Sequence, residues 1–294
     1  MRLTLLVLGL SVFTTAETVH YSYDPAGRLA RAEYEGGKAI SYTYDKAGNL
    51  LRREVSDSSG LASANAASYD PARILAPEAI VYAEGPNLAT GIAVADTLEL
   101  PTELLGTSVD VTDVDGTTRR AGLIYVTPGA VAYVVPGGTA LGLASVVVHS
   151  GAGGDVTGSL QVSGISPGIF TGNQAGTGVA AAYLIRVSAG GDITRELLFD
   201  PVSKEAVALN LSAAGETYYL EMYGTGMRGS TGDKSATIDG KNVEVAGPVA
   251  HSVYAGLDQF NLGPFGPGFV GSGERNIAVT LDGQQANVVT VRAQ

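Results

Sequence analysis

Four groups of residues have types and spacings that chemistry could use. Gly224-Thr-Gly226-Met-Arg-Gly229 fits the G-x-G-x-x-G pattern that lets backbone amides approach a pyrophosphate, and Glu244 follows where a ribose-binding acid would stand. Such a site needs a helix opening at the last glycine. Ser-Thr-Gly-Asp follows instead, then a strand at Ala236–Ile238, so these glycines read as a strand-end turn. Asp110, Asp113 and Asp115 with Gly116 resemble half of a calcium loop, but the alternate spacing and closing glutamate are missing, which leaves a solvated hairpin end. His20, His149 and His251 stand in separate strand-like settings, without a second histidine or carboxylate at ligand spacing. The last group is Tyr21, Tyr23, Tyr42 and Tyr44. Tyr-x-Tyr puts two rings on one face of a strand, where they either cover a hairpin or stack on sugar rings. Ring coverage is the favoured reading and glycan stacking the alternative.

Other chemistries lack their residues. Without cysteine there is no thiolate nucleophile, disulfide or cysteine metal site. Gly164-Ile-Ser166-Pro-Gly168 has the Gly-x-Ser-x-Gly spacing, but no helical period follows it, so the strand-to-helix nucleophile elbow is missing. Acidic residues cluster at turns, which favours solvation over the facing pair that glycoside hydrolysis needs. No catalytic, cofactor-binding or metal residue is therefore assigned, and the expectation is a protein that is not an enzyme. A net charge of −11, with no basic stripe, argues against nucleic acid as a partner.

The amino terminus speaks to location. Arg2 precedes an apolar run from Leu3 to Phe13, followed by Thr14-Thr15-Ala16 and Glu17. That is the form of a signal peptide over 1–16, and the run is too short to span a bilayer. The expected mature protein is secreted or at the cell surface, with no membrane span after cleavage.

Charged residues are only 16% while glycines number 40, a profile of short strands joined by tight turns. Two stretches organise the longer part of the chain. Tyr125–Pro136 and Ser252–Gly263 match with Gly129 on Gly256, Tyr133 on Phe260 and Val135 on Leu262. Around them Asp115-Gly116 matches Asp239-Gly240. Gly142, Val146 and Val148 match Gly273, Ile277 and Val279; Val162 matches Val291; Gly85 and Leu88 match Gly224 and Met227. Apolar residues alternate in each run, the mark of half-buried strands. The spacing predicts strands at Ile80–Glu84, Ser108–Thr112, Thr118–Val126, Ala130–Val135, Ala144–His149 and Ser159–Ile165, then at Val179–Val187 and Thr194–Phe199. Asp115-Gly116, Asp239-Gly240 and Asp282-Gly283 are hairpin signals.

Upstream, Tyr21-x-Tyr23-Asp24-x-x-Gly27-Arg28-Leu29 returns as Tyr42-x-Tyr44-Asp45-x-x-Gly48-Asn49-Leu50. The aspartate can bond turn amides, and the glycine can take the positive φ that reverses the chain. These residues resemble the YD (RHS-type) repeats, whose long arrays form β-rich shells in bacterial surface proteins and toxins. The resemblance implies a surface setting and a link to carbohydrate binding. Two copies are too few for a shell.

Asn65–Tyr69, Leu75–Ala89, Tyr125–Pro136, Ser166–Phe170, Gly176–Leu184 and Tyr223–Gly229 together resemble the uncharacterised C-terminal domain of acidobacterial (Solibacter-type) exported proteins, over about 64–294. Gly85 with Asn87-Leu88 after an apolar strand is similar to IPT/TIG immunoglobulin-like domains. Glu84 departs from the family pattern, standing where Tyr223 stands in the second copy.

The expected fold is all-β: tandem immunoglobulin-like (IPT/TIG-like) β-sandwiches behind a YD-repeat hairpin segment. Its parts are the signal 1–16, YD hairpins 17–55, a linker 56–73, a first sandwich 74–165, a connecting hairpin region 166–214 and a second sandwich 215–294. The expected function is a non-enzymatic exported or cell-surface interaction module of adhesion type, with a surface glycan or a protein as partner. Alternatives are a carbohydrate-binding module using the YD tyrosines, and a polysaccharide-acting hydrolase or its accessory domain.

Overall fold

The structure is a computed structural model that describes residues 19–24, 26–34, 38–45, 47–57, 60–70 and 74–294. The signal-peptide stretch 1–16 and the His20 side chain lie outside what is described. All the elements are strands and turns, with no helix among the described residues. The chain divides into units 1–58 and 59–294. In the first, β1 (Val19–Tyr23), β2 (Leu29–Tyr34), β3 (Lys38–Tyr44) and β4 (Leu50–Asp57) form an antiparallel meander.

The second unit holds two sandwiches. The first is built from β5 (Ala62–Asn65), β6 (Ile74–Leu75), β7 (Ile80–Glu84), β8 (Ala93–Val94), β9 (Ser108–Thr112), β10 (Thr118–Arg120), β11 (Gly122–Val126), β12 (Ala130–Val134), β13 (Gly142–His149) and β14 (Asp155–Val162). The second uses β15 (Gly168–Ile169), β16 (Ala182–Val187), β17 (Ile193–Leu197), β18 (Thr217–Thr225), β19 (Lys234–Ile238), β20 (Lys241–Val243), β21 (Val245–Ala250), β22 (Asp258–Phe265), β23 (Gly273–Leu281), β24 (Gln284–Gln285) and β25 (Val289–Ala293).

The two sandwiches share one topology. In the first, β5-β7-β12-β11 faces β10-β9-β13-β14; in the second, β16-β18-β22-β21 faces β20-β19-β23-β25. Both follow the immunoglobulin order, A-B-E-D against C-F-G with an added C′. Both also let a short segment cross over to run parallel with the last strand, Ile74–Leu75 beside β14 and Leu209 beside Ala293. The alternation places Val81, Val131 and Tyr133 against Val109, Val146 and Leu160 in one core. In the other, Leu220, Met222 and Phe260 meet Ile238, Ile277 and Val291. Burying each such side chain contributes about 1.5–3 kcal/mol.

Several expectations shift once pairing is known. The single strand read over Thr118–Val126 is two, because the chain passes at buried Ala121 from one sheet to the other. The stretch read as linker, 56–73, carries the end of β4 and the whole of β5, an A strand. Its composition hid this, since Leu61, Ser63, Asn65 and Ala67 turn inward but only Leu61 is large and apolar. By sequence the hairpin of the connecting region 166–214 is open to two readings, bridging the sandwiches or adding to the second, and pairing selects the latter: β16 and β17 belong to the second sandwich.

Register moves two of the matched pairs. A bulge on β11 lies opposite Ala132–Tyr133, and one on β21 lies opposite Gln259–Asn261, which keeps Tyr133 aligned with Phe260. Tyr82 pairs with Ala132 and Tyr223 with Gln259, so Tyr82 corresponds to Tyr223, and Gly85 to Gly226 rather than Gly224. Glu84 therefore does not stand where Tyr223 stands; its strand has its tyrosine two residues earlier, at Tyr82. Likewise Gly142 faces Val162 and Gly273 faces Ala293, so Val291 corresponds to Leu160 rather than Val162. A slip of two residues leaves each side chain on its own face, so alternation cannot detect it.

Thr225 joins the two sandwiches. Its hydroxyl accepts the Ile80 amide (2.8 Å) and donates to the Gly256 carbonyl (2.6 Å). Asn65 Nδ2 donates to the Ser166 carbonyl at 2.8 Å, and Ser166 Oγ donates to the Ile74 carbonyl at 2.6 Å.

Candidate functional site

The two YD turns are built alike. Asp24 Oδ1 accepts the amides of Ala26 and Arg28, both at 2.9 Å, and Gly27 has φ +74°. Asp45 Oδ1 accepts those of Ala47 (2.9 Å) and Asn49 (2.8 Å), with Gly48 at φ +92°. The Arg28 side chain beside Asp24 holds that carboxyl below its ordinary range, and the Asn49 side chain does the same for Asp45. Arg28 then couples the repeats. Its guanidinium donates to the Asp45 carbonyl at 3.0 Å and covers the Tyr44 ring at 4.7 Å, a cation–π contact. The Tyr44 hydroxyl donates to the Leu29 carbonyl at 3.0 Å. The four tyrosines thus divide: Tyr42 and Tyr44 are half-buried, while Tyr21 and Tyr23 are 57% and 63% exposed on one face of β1.

A second set of rings lies on the sandwiches, on the outward faces of the two A-B-E-D sheets. In the first, Tyr82 of β7 and Tyr125 of β11 flank Ala132 in one cross-strand row. Tyr69 meets Tyr82 edge-on at 5.5 Å, and the Tyr82 hydroxyl donates to Glu84 at 2.5 Å. In the second, Tyr223 of β18 has Tyr183 of β16 at 6.4 Å and His251 at 6.0 Å, and His251 stacks on Tyr254 at 5.1 Å. The Tyr223 hydroxyl donates to Glu221 on its own strand. Arg195 of β17 pairs with Glu221 and lies 3.8 Å over the Tyr183 ring. Burial and then the partner glutamate push the Tyr82 and Tyr223 hydroxyls up, so both stay neutral donors. Sequence reasoning passed over these rows because Tyr82 and Tyr125, and likewise Tyr183 and Tyr223, sit on different strands, and only sheet pairing brings them into one row.

Residues 23–62 match the RHS repeat. This covers the two YD turns and ends on β5. No curated protein matches the chain. One similar solved structure is SGBP-B of the Bacteroides ovatus mixed-linkage glucan utilization locus, in complex with a mixed-linkage heptasaccharide. The likeness covers 89% of this chain and 54% of that one, at 12% identity and a TM-score of 0.33. This chain spans about half the length of that protein, and so distant a likeness carries no argument about function.

The remaining motifs serve the scaffold. In Gly224–Gly229, the amides of Met227 (2.7 Å) and Arg228 (3.3 Å) both donate to Asp258 Oδ2, so the groups a pyrophosphate would need are taken. Asp258 is fully buried and receives Arg228 Nε at 2.6 Å; burial pushes its carboxyl up, against the pull of Met227 and Arg228. Asp113 accepts the amides of Asp115, Thr117 and Ala140 and pairs with Arg119 at 2.5 Å, which occupies both carboxylate oxygens. Asp110 pairs with Arg120 at 2.7 Å. His149 bridges Asp155 (2.9 Å) and Asp110 (3.0 Å), carboxylates that sheet pairing brings from β14 and β9, and the Asp155 contact first of all raises its pKa. Among the described residues no group of three or more His, Cys, Asp or Glu is placed to hold a metal ion.

Proposed function

We propose that this chain is a non-enzymatic interaction module of an exported or cell-surface protein, holding its partner on the outside of rigid sandwiches. The observation that carries this reading is the use of the buried carboxylates. Asp113 and Asp258, the buried carboxylates among the described residues, have their oxygens committed to backbone amides and arginines that tie strand ends together. Among the described residues that line a groove of about 490 Å³, which include Ile74, Leu141, Gln161 and Gln284, none is ionisable. Rigid walls with half-exposed aromatic faces suit binding. The IPT/TIG-like subclass, kinship with acidobacterial exported proteins, the adhesion role and the signal peptide over 1–16 belong to the same reading. The RHS match at 23–62 supports a surface setting through its resemblance to bacterial surface proteins.

The test is expression of the full chain in a bacterial host, with fractionation and amino-terminal sequencing. Export with a new terminus at Glu17 is the expected result, together with no release of reducing ends from soluble polysaccharides. Retention in the cytoplasm with Met1 intact would overturn the export reading, and sugar release the non-enzymatic one.

A second reading has its own observation. The exposure of Tyr21 and Tyr23 on one face of β1 favours stacking on a glycan, with Tyr42 and Tyr44 in a supporting place. A Tyr21→Ala, Tyr23→Ala variant that loses glycan retention would select it.

A further inference from the structure

From the paired registers we infer that the outward faces of the two A-B-E-D sheets are duplicate stacking sites for one neutral polysaccharide. The inference rests on the interaction-module reading and deepens it. Its basis is an equivalence that core packing does not require. Tyr82 and Tyr223 occupy the same place on strand B, pointing away from the cores. Each donates its hydroxyl to a glutamate of its own strand, Glu84 in one and Glu221 in the other. Those glutamates stand on opposite sides of the tyrosine, so the shared feature is the ring–carboxylate pair itself. Each tyrosine also has further aromatic neighbours: Tyr69 and, across Ala132, Tyr125 in the first sandwich; Tyr183, His251 and Tyr254 in the second.

The composition of these faces selects the ligand. A sugar ring has an apolar C–H face and a rim of hydroxyls, so it needs an aromatic plane beside fixed acceptors and donors. Glu84 on one face, and Glu221, Arg195 and Gln259 on the other, supply the polar partners. A protein hot spot would want a desolvated pocket for a large side chain. Alanine and glutamine lie beside these rings instead, at Ala132 and Gln259. The net charge of −11 disfavours an anionic polymer. From Tyr183 on β16 through Tyr223 on β18 to His251 after β21, ring-to-ring steps of 6.4 and 6.0 Å give the second row room for a short stretch of sugar chain. Two such rows in one chain would bind one polymer bivalently.

Affinity electrophoresis of the full chain tests this, in gels cast with hydroxyethylcellulose, galactomannan, laminarin, soluble starch or, as the anionic arm, polygalacturonate. Retardation is expected in at least one neutral gel and not in polygalacturonate. Tyr82→Ala or Tyr223→Ala alone should weaken it about tenfold or more through lost avidity, and the double variant should abolish it. The double Tyr→Phe variant keeps both rings and should still be retarded. Tyr254→Ala, at an exposed turn, should weaken retention even if the double alanine variant does not fold. Three outcomes overturn the inference: no retardation in any neutral gel, retardation only by polygalacturonate, or retention untouched by the double alanine variant. Loss through Tyr21→Ala and Tyr23→Ala, with the sandwich variants unaffected, also overturns it but leaves the interaction-module reading standing.

Discussion

Tyr133 and Phe260 fill the same position in two different cores, one ring with a hydroxyl and one without. Both are on strand E, both are buried, and each lies beside the bulge that bends the neighbouring strand D. The difference has a cost. The Tyr133 hydroxyl lies near Ser63 but finds no hydrogen-bond partner in reach among the described residues, while burial pushes its pKa up.

Tyr133→Phe should therefore be neutral or raise stability, by about 1 kcal/mol, because it removes a buried polar group that has no partner. Phe260→Ala should cost about 3–5 kcal/mol through the cavity it leaves. Urea denaturation of both variants checks the pair. A large loss from Tyr133→Phe would mean that the hydroxyl is paired after all.

Gly226 separates backbone strain from contact. It has φ +72°, and an added Cβ would stand 2.3 Å from the Ser166 carbonyl at the junction of the sandwiches. Gly283, at φ +78°, has nothing within 4 Å of such an atom. Gly283→Ala should cost only the left-handed strain, about 1–2 kcal/mol. Gly226→Ala should cost clearly more, because Ser166 and the Asn65 bond to it must move. Equal losses in urea denaturation would show that the junction is loose.

His149 should make stability depend on pH. Its pKa is raised above 6.5 by Asp155 first and Asp110 second, against burial. A histidine raised in the folded state stabilises fully below its unfolded value and loses that contribution as pH rises through the folded one. The melting temperature should fall as pH rises from 6.5 through that higher value, and His149→Gln should flatten the slope. An NMR titration midpoint at or below 6.5 would refute the assignment.

Asp45→Ala should loosen both YD turns. It frees the Ala47 and Asn49 amides directly, and the Asp45 carbonyl that anchors Arg28 loses its fixed place. Hydrogen exchange should quicken at Asn49 and, less, at Arg28. Because Asp24 and Asp45 both titrate below 3.8, protection in the wild type should hold above that pH and fail as pH falls through the lowered values. Unchanged exchange at Arg28 would mean that the repeats are not coupled.

Local chemistry made much of this protein legible in its sequence. Apolar runs and alternating apolar residues marked strands such as Ile80–Glu84, with Val81 and Ala83, and Ser108–Thr112, with Val109 and Val111, and Asp-Gly pairs marked turns, because these preferences act within a few residues. Asp24, Gly27, Asp45 and Gly48 announced the YD turns for the same reason. Tertiary structure decided which strand lies beside which, and in what register. A strand side chain keeps its face under a two-residue slip, so the sequence could not separate Gly224 from Gly226 as the partner of Gly85; the bulges and hydrogen-bonded ladders could. The A strand β5 also escaped notice, since small polar residues become strand when a neighbouring edge offers its hydrogen bonds. The aromatic rows depend on that same pairing: Tyr183, Tyr223 and His251 are far apart along the chain and meet only because β16, β18 and β21 share a sheet.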